Sequence, residues 1–327
     1  MHIFELMQAP QTNVIEDDVD LSNTVIKDPL IVDGVTFRGK VFFEGTFFHG
    51  DVLFTNCVFE GPVLLRGAHV PERLQFKKCV FRSLFSLAAG QSKPGGRAKA
   101  TEEITLRHVN FHESAFHGYT TFNNREFTRS PDFSETRFFR PPQFQNAIVH
   151  PGIKLDGAEF AVPTGATEDE LRDAVRAFRR LRTIAQEIGA VDRYNEFLAR
   201  ELQTRRISAS TSFTEKLVIG AYWLISDYGR SISRPPIFLV VLTAILALIG
   251  SVLCGISNLP AMLGFLVSQS FVPFGALASD FLPPGALAAG FAQWGLALRA
   301  ISAAQSLLTL TTVALFLFAL RRRFHLS

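Results

Sequence analysis

The chain has 327 residues, enough for two or more domains, and 47% of them are hydrophobic. Its 32 phenylalanines, against 4 tyrosines and 2 tryptophans, indicate a repeated core position shaped for one side chain. A formal net charge of +3 is too close to neutral to indicate nucleic-acid binding, and three cysteines without paired or metal-ligand spacing predict neither a disulfide nor a metal site.

After an N-terminal cap over residues 1–12, large apolar residues recur across 13–162 in alternating steps of 6 and 5 residues. Helices repeat at spacings of 3 and 4, and plain strands at 2. The rhythm instead predicts short extended segments separated by sharp corners, stacked so that each coil buries Phe against Phe of the next. The predicted core phenylalanines are Phe37, Phe43, Phe48, Phe54, Phe59, Phe76, Phe81, Phe111, Phe116, Phe122, Phe127, Phe133, Phe138, Phe144 and Phe160.

One stretch interrupts this rhythm. The segment SLAAGQSKPGGRAKATEE, 86–103, is rich in Gly, Lys and Ala, which predicts a loop inserted into one coil. The rhythm resumes at Phe111 and continues to Phe160.

The rhythm of 13–162 resembles the pentapeptide-repeat family, in which a small residue precedes each inward Leu or Phe by two positions. The resemblance implies a right-handed quadrilateral β-helix with about 22 residues in each four-sided coil. Some members of that family imitate DNA with a strongly acidic surface. Residues 13–162 carry 17 Lys and Arg against 18 Asp and Glu, a balance that argues against such mimicry.

The next segment, 163–212, is predicted to be an α-helical hairpin. Its first helix begins at a capping box formed by Thr167 and Glu170 and stops at Gly189. A second helix follows in VDRYNEFLARELQTRR. We expect the hairpin to cover the open end of the β-helix, and its arginine-rich faces to lie near anionic lipid headgroups.

The C-terminal third has the composition of a membrane segment. Residues 213–236 predict an interfacial helix or pre-anchor, and 237–327 a two-span region with spans at 237–256 and 300–320. Basic clusters before the first span and after the second place both termini in the cytoplasm. The predicted membrane-interface anchors are Tyr222, Trp223, Tyr228, Arg230, Arg234, Arg321, Arg322 and Arg323.

Between the spans, residues 257–299 are too apolar for an ordinary exposed loop and predict a re-entrant segment, lining either a pore or other protein. Polar residues in the second span favour either a water-lined path or helix-to-helix packing, with packing the stronger interpretation. A third option is that 259–278 crosses fully, against the charge rule. The candidate pore or re-entrant residues are Ser268, Gln269, Ser270, Pro273, Phe274, Gly275, Ser302, Gln305, Ser306 and Thr309.

The order of these segments resembles membrane-anchored pentapeptide-repeat proteins of bacteria. The predicted fold class is therefore a β + α membrane protein of the bacterial inner membrane: a β-helix, a helical hairpin linker and a transmembrane helix hairpin. No catalytic motif is found, so we expect no enzyme activity and no cofactor. The leading hypothesis is a scaffold that presents the β-helix to a cytosolic protein partner. The alternative is an oligomeric ion channel or mechanosensitive pore.

Overall fold

A computed structural model describes residues 13–70, 72–90, 104–253, 259–277 and 285–324. The predicted cap at 1–12, most of the predicted inserted loop and the side chains of Arg322 and Arg323 lie outside this description. The chain divides into two compact units, Met1–Thr211 and Ser212–Ser327.

The N-terminal unit contains a β-solenoid whose short parallel strands form four sides. The first side delimits six turns; its strands are Val14–Ile15, Thr36–Phe37, Val58–Phe59, Val80–Phe81, Ala115–Phe116, Arg137–Phe138 and Glu159–Phe160. The second side consists of Val19–Asp20, Val41–Phe42, Val63–Leu64, Phe85–Ser86 and Thr120–Thr121. The third pairs Val25–Ile26 with Phe47–Phe48, and Thr105–Leu106 with Glu126–Phe127. The fourth consists of Leu30–Asp33, Val52–Thr55, Arg73–Lys77 and His108–Asn110.

Strand pairing gives the predicted period of 22 residues, as when Thr36 pairs with Val14 on one neighbouring coil and Val58 on the other. All fifteen predicted core phenylalanines are buried. On the first side, five successive pairs of stacked rings have centroids 4.6 to 5.3 Å apart, close to the spacing of paired strands. The phenylalanine rhythm is therefore a set of columns, each ring resting on the ring one coil away.

Two kinds of corner explain why the inward apolar residues are spaced alternately by 6 and 5 residues. Corners after the second and fourth sides take a left-handed residue every 11 positions, beginning at Asn23, Gly34, Gly45 and Asn56. Other corners bring backbones into direct contact, since a Cβ added to Gly61 would lie 2.3 Å from the carbonyl oxygen of Gly39. The corner chemistry thus repeats with the same period as the core.

The inserted loop begins later than predicted. Ser86 belongs to a strand and Leu87 is fully buried in the column that contains Phe122, so the bound of 86 is too early. Leu87 lies between Leu65 and Phe122 in this column, so it fills the inward position of its coil. The backbone N–H of Cys79 donates to the hydroxyl of Ser114 on the next coil, 35 residues away. This turn is therefore 13 residues longer than the usual 22.

A buried arginine compensates for the interrupted coil. Arg125 occupies the inward position that Thr46 and Ala68 fill in other coils, and its side chain is 1% exposed. Its guanidinium donates to three backbone carbonyls at 2.6, 3.2 and 3.1 Å, those of Leu87, Ala68 and Leu65 respectively. Its nitrogens therefore satisfy acceptors on two different coils.

Two helices, α1 (Glu168–Glu187) and α2 (Val191–Ile207), pack against the last coil of the solenoid, as predicted. Thr167 and Glu170 form the predicted capping box. Phe197 packs edge-on against Phe160, the last ring of its column, at 4.9 Å. The carbonyls at this end accept from helix arginines: Phe144 and Ala147 from Arg180, and Leu155 and Ala158 from Arg193. The helices therefore satisfy the solenoid edge with charged donors.

The C-terminal unit is helical where described: α3 (Phe213–Ser226), α4 (Arg234–Leu253), α5 (Leu259–Phe271) and α6 (Ala288–Phe324), with short 3₁₀ turns at Gly275–Leu277 and Gly285–Leu287. Helix α6 begins twelve residues before the predicted start at 300 and bends at Trp294, where φ is −123°. The hydropathy pattern found only its uncharged part, because Arg299 interrupts the apolar run without interrupting the helix.

Candidate functional site

A cluster of polar side chains lies inside the C-terminal unit, where α4, α5 and α6 meet. Helix α6 contributes residues at spacings of three and four, which places them on one face. Six of the seven side chains are buried and Ser270 is half-buried. The polar cluster consists of Thr243, Gln269, Ser270, Ser302, Gln305, Ser306 and Thr309.

Gln305 joins the three helices. Its amide nitrogen donates to the hydroxyls of Thr243 on α4 at 2.8 Å and Ser270 on α5 at 3.2 Å, and lies 3.4 Å from Thr309 on its own helix. The hydroxyls of Ser270 and Thr309 are 3.2 Å apart. One amide group therefore holds together helices that are far apart in the sequence.

Gln269 anchors the turn that follows α5. Its amide oxygen accepts from the Ser302 hydroxyl at 2.9 Å and from the backbone N–H of Ala276 at 3.1 Å. The backbone N–H of Phe274 donates to Ser306 at 2.9 Å, and Phe274 itself is left-handed, with φ of 60°. Side chains thus accept the backbone hydrogen bonds of the irregular turn after α5. Non-helical backbone inside a membrane requires such partners within the protein.

The chemistry of the cluster is that of neutral hydroxyls and amides. None of its seven members titrates near neutral pH, so the cluster has no general acid or base. The Oε1 atom of Gln305 is buried without a hydrogen-bond partner among the residues described. The arrangement is suited to holding helices together and to contacting a polar molecule through neutral oxygens.

The structure brings most of the predicted pore or re-entrant residues together, but not all. The Ser268 hydroxyl donates to the carbonyl of Phe265 on its own helix. Its contact with the polar cluster is a long one, 3.4 Å from the amide nitrogen of Gln269 to the Ser268 oxygen. Pro273 is exposed and Gly275 opens the 3₁₀ turn. Thr243 was not among the predicted residues; its signal was a hydroxyl residue in the middle of an apolar span.

Five of the predicted interface anchors, the aromatic residues and the two arginines before the first span, lie in or beside a tight turn between α3 and α4. Asp227, Tyr228 and Gly229 are all left-handed, with φ of 50°, 58° and 78°. This turn directs Tyr228 inward, where it is fully buried and packs edge-on against Tyr222 at 5.9 Å. Tyr228 therefore packs inside the unit and does not present its ring outward.

The remaining anchors are more accessible. Trp223, Arg230 and Arg321 are exposed. Arg234, at the start of α4, is also exposed and pairs with Asp227 at 3.7 Å. The basic side chains described here therefore remain available to solvent or headgroups.

Comparison with known proteins supports the repeat and goes no further. A family model described as "Pentapeptide repeats (9 copies)" matches residues 33–80, which form the second and third coils of the solenoid. No curated protein and no solved structure matches the chain. Two helical segments, Arg234–Val252 and Phe291–Arg321, are long and apolar enough to cross a membrane. The chain thus carries pentapeptide repeats folded as a β-solenoid, followed by helices of which two have the length and composition of membrane spans.

Proposed function

We propose that this protein is a non-enzymatic, membrane-anchored scaffold that presents its pentapeptide-repeat solenoid to a protein partner in the cytosol. The observation that carries the proposal is the contrast between a closed solenoid core and a helical unit that exposes its apolar side chains. Only 28% of the apolar window in each span-length helix is buried. The core helix of a water-soluble protein would be mostly buried, so a bilayer is the solvent that suits these helices.

The solenoid suits a scaffold because its outward residues form ladders of fixed spacing. Arg38 lies 2.6 Å from Glu16 and 3.9 Å from Glu60, each on an adjacent coil. On another side the Phe47 ring stacks on His69 at 4.1 Å. A partner would meet a preorganised surface and would not bear the entropy of ordering it.

Orientation follows from charge. The basic residues before α4 and after the apolar part of α6 favour one compartment for both ends of the membrane region, with the solenoid in the cytoplasm. We assign the protein to a bacterial inner membrane on the resemblance of its segment order to bacterial membrane-anchored repeat proteins.

A channel is the second candidate. The partnerless Gln305 oxygen and the hydroxyls around it favour it, since neutral oxygens can replace the water around an ion. Against it, the hydrogen bonds of Gln269, Gln305 and Ser306 join elements of one chain. A pore formed by several copies requires such groups to face a shared axis.

Two measurements test the proposal. First, full-length protein in lipid nanodiscs is weighed by mass photometry; we expect a monomer or dimer, whereas a closed ring of four or more chains would favour the pore. Second, proteoliposomes are assayed for ion flux with the wild type, Gln305→Leu and Ser268→Leu. No flux above empty liposomes in any sample supports the scaffold. A flux that the two variants change would overturn it.

A further inference from the structure

Helix α3 has an uncovered apolar side that the spans do not explain. Phe213, Leu217, Val218 and Leu224 are 75%, 57%, 70% and 54% exposed. At 100° per residue these four side chains lie within one sector of about 140° of the helix. Ile219 and Ser226, on the other side, are buried against the unit. The helix thus packs one side against the unit and leaves this apolar side facing outward.

Helix α3 cannot itself cross a bilayer. Fourteen residues rise about 21 Å, less than the roughly 30 Å of the hydrocarbon core. Glu215 and Lys216 stand in its first turn, where a spanning helix would enter hydrocarbon. A helix too short to span, with an exposed apolar sector and charged residues in its first turn, suits a segment lying in the membrane interface.

The turn after α3 fixes its direction relative to α4. The Ser226 hydroxyl accepts from the Gly229 N–H at 3.1 Å, and Tyr228 is buried against Tyr222. Arg234 on α4 pairs with Asp227 and donates to the carbonyl of Trp223 at 3.5 Å. Three consecutive left-handed residues prevent α3 from continuing into α4 as one helix. If α4 crosses the bilayer, these contacts hold α3 at one end of the span.

We propose that α3 lies in the plane of the membrane and inserts Phe213, Leu217, Val218 and Leu224 among the acyl chains just below the phospholipid headgroups. The inference rests on the proposed membrane anchoring. It adds a second membrane contact and assigns it to this apolar side, not to the aromatic pair Tyr222 and Tyr228. The neighbouring helix identifies the occupant, because α3 contacts α4 and is joined to it by this turn, and α4 exposes the apolar residues Ile237, Val240 and Val241 that the proposed anchoring places in the bilayer.

The test uses full-length protein in liposomes of phosphatidylcholine brominated near the headgroup end of one acyl chain, a quencher of nearby tryptophan. The two tryptophans of the chain, Trp223 and Trp294, are replaced by Phe, and one new tryptophan is introduced at a time. Leu217→Trp reports the apolar side of α3. Glu215→Trp, about 160° around the same helix, is the matched control. Val240→Trp, at an exposed position on α4, reports the span independently.

We expect bromolipid to quench Leu217→Trp about threefold more strongly than Glu215→Trp, and Val240→Trp to be quenched as well. Quenching at 240 without quenching at 217 would overturn the in-plane position while leaving the anchor intact. An absence of quenching at both would overturn the anchor and the inference with it. Equal quenching at 217 and 215 would mean that α3 is immersed on all sides, which also contradicts it. Val218→Trp repeats the measurement should Leu217→Trp fail to fold.

Discussion

The solenoid and the helical unit satisfy their buried polar groups in opposite ways. In the solenoid, backbone N–H and C=O groups pair from coil to coil, and buried polar side chains such as Thr46 and Thr136 donate to backbone carbonyls. In the helical unit the helical backbone is satisfied within each helix, and buried side chains bond to one another, as Gln305 does with Thr243, or to the turn after α5, as Gln269 and Ser306 do. Pairing in the solenoid repeats every 22 residues, so its stability comes from many equivalent positions. The helical unit depends on a few positions that occur once.

The largest expected effect is in the phenylalanine columns. Phe59→Ala removes a fully buried ring that stacks on Phe37 at 4.9 Å and Phe81 at 5.0 Å. We expect the free energy of unfolding of the solenoid to fall by about 3–5 kcal/mol, measured by urea denaturation and far-UV circular dichroism. Phe139→Ala is the control on the same side, since its ring is 44% exposed, and should cost less than about 1 kcal/mol. Equal losses would mean that the columns do not carry the stability.

A comparable effect is expected where the solenoid rhythm fails. Arg125→Met removes donors to three buried carbonyls on two coils. The carbonyls lose their charged partners, and we expect a loss of about 3 kcal/mol in the same denaturation experiment. Arg129→Met, an exposed arginine four residues on, should leave the midpoint unchanged. If Arg125→Met leaves the free energy of unfolding unchanged, the interrupted coil does not depend on this arginine.

These positions mark how far the sequence predicted the structure. The period and the buried columns followed from the sequence because they depend on residues 5, 6, 11 or 22 positions apart, and the capping helices because their start depends on Thr167 and Glu170, three positions apart. Arg125 did not, because its partners Leu65 and Ala68 lie 60 and 57 residues away and its side chain is charged. The candidate site was found in part. The spacing of Ser302, Gln305 and Thr309 marked a polar face, yet Thr243, 62 residues from Gln305, could be paired with it only by the fold.

Substitutions in the polar cluster should lower the free energy of unfolding by less than those in the solenoid columns, and this difference tests the contrast between the two units. Gln269→Leu leaves the Ala276 N–H and the Ser302 hydroxyl without their acceptor. We expect a loss of about 1 kcal/mol, because buried side-chain hydrogen bonds in membrane proteins average less than in isolated model helices. Titration with sodium dodecyl sulfate, followed by the fluorescence of Trp294 in a chain with Trp223→Phe, measures this loss.

The matched control for the cluster is Thr311→Val. Thr311 lies on α6 near Thr309, but it is exposed and donates only to the carbonyl of Leu307 on its own helix. It should not shift the titration midpoint. If Thr311→Val and Gln269→Leu shift it equally, the cluster does not hold the helices together.

The smallest effect is a pH dependence confined to one end of the helical hairpin in the N-terminal unit. Hydrogen bonds from the Ser208 and Ser210 hydroxyls and the Ala209 N–H lower the pKa of Glu168 to about 2, from an ordinary 4.5. A lowered pKa means that the contact contributes fully above about pH 4.5 and is lost as the pH falls toward 2. The protection factor of the Ala209 amide in hydrogen exchange, the unprotected rate divided by its observed rate at the same pH, should therefore fall between these values in the wild type. In Glu168→Gln the protection factor should already be low at neutral pH, whereas Asp169→Asn, next to it but 91% exposed, should behave like the wild type. Acid sensitivity retained in Glu168→Gln would place the titrating group elsewhere, and the solenoid should remain folded in all three proteins, because its columns contain no carboxylate.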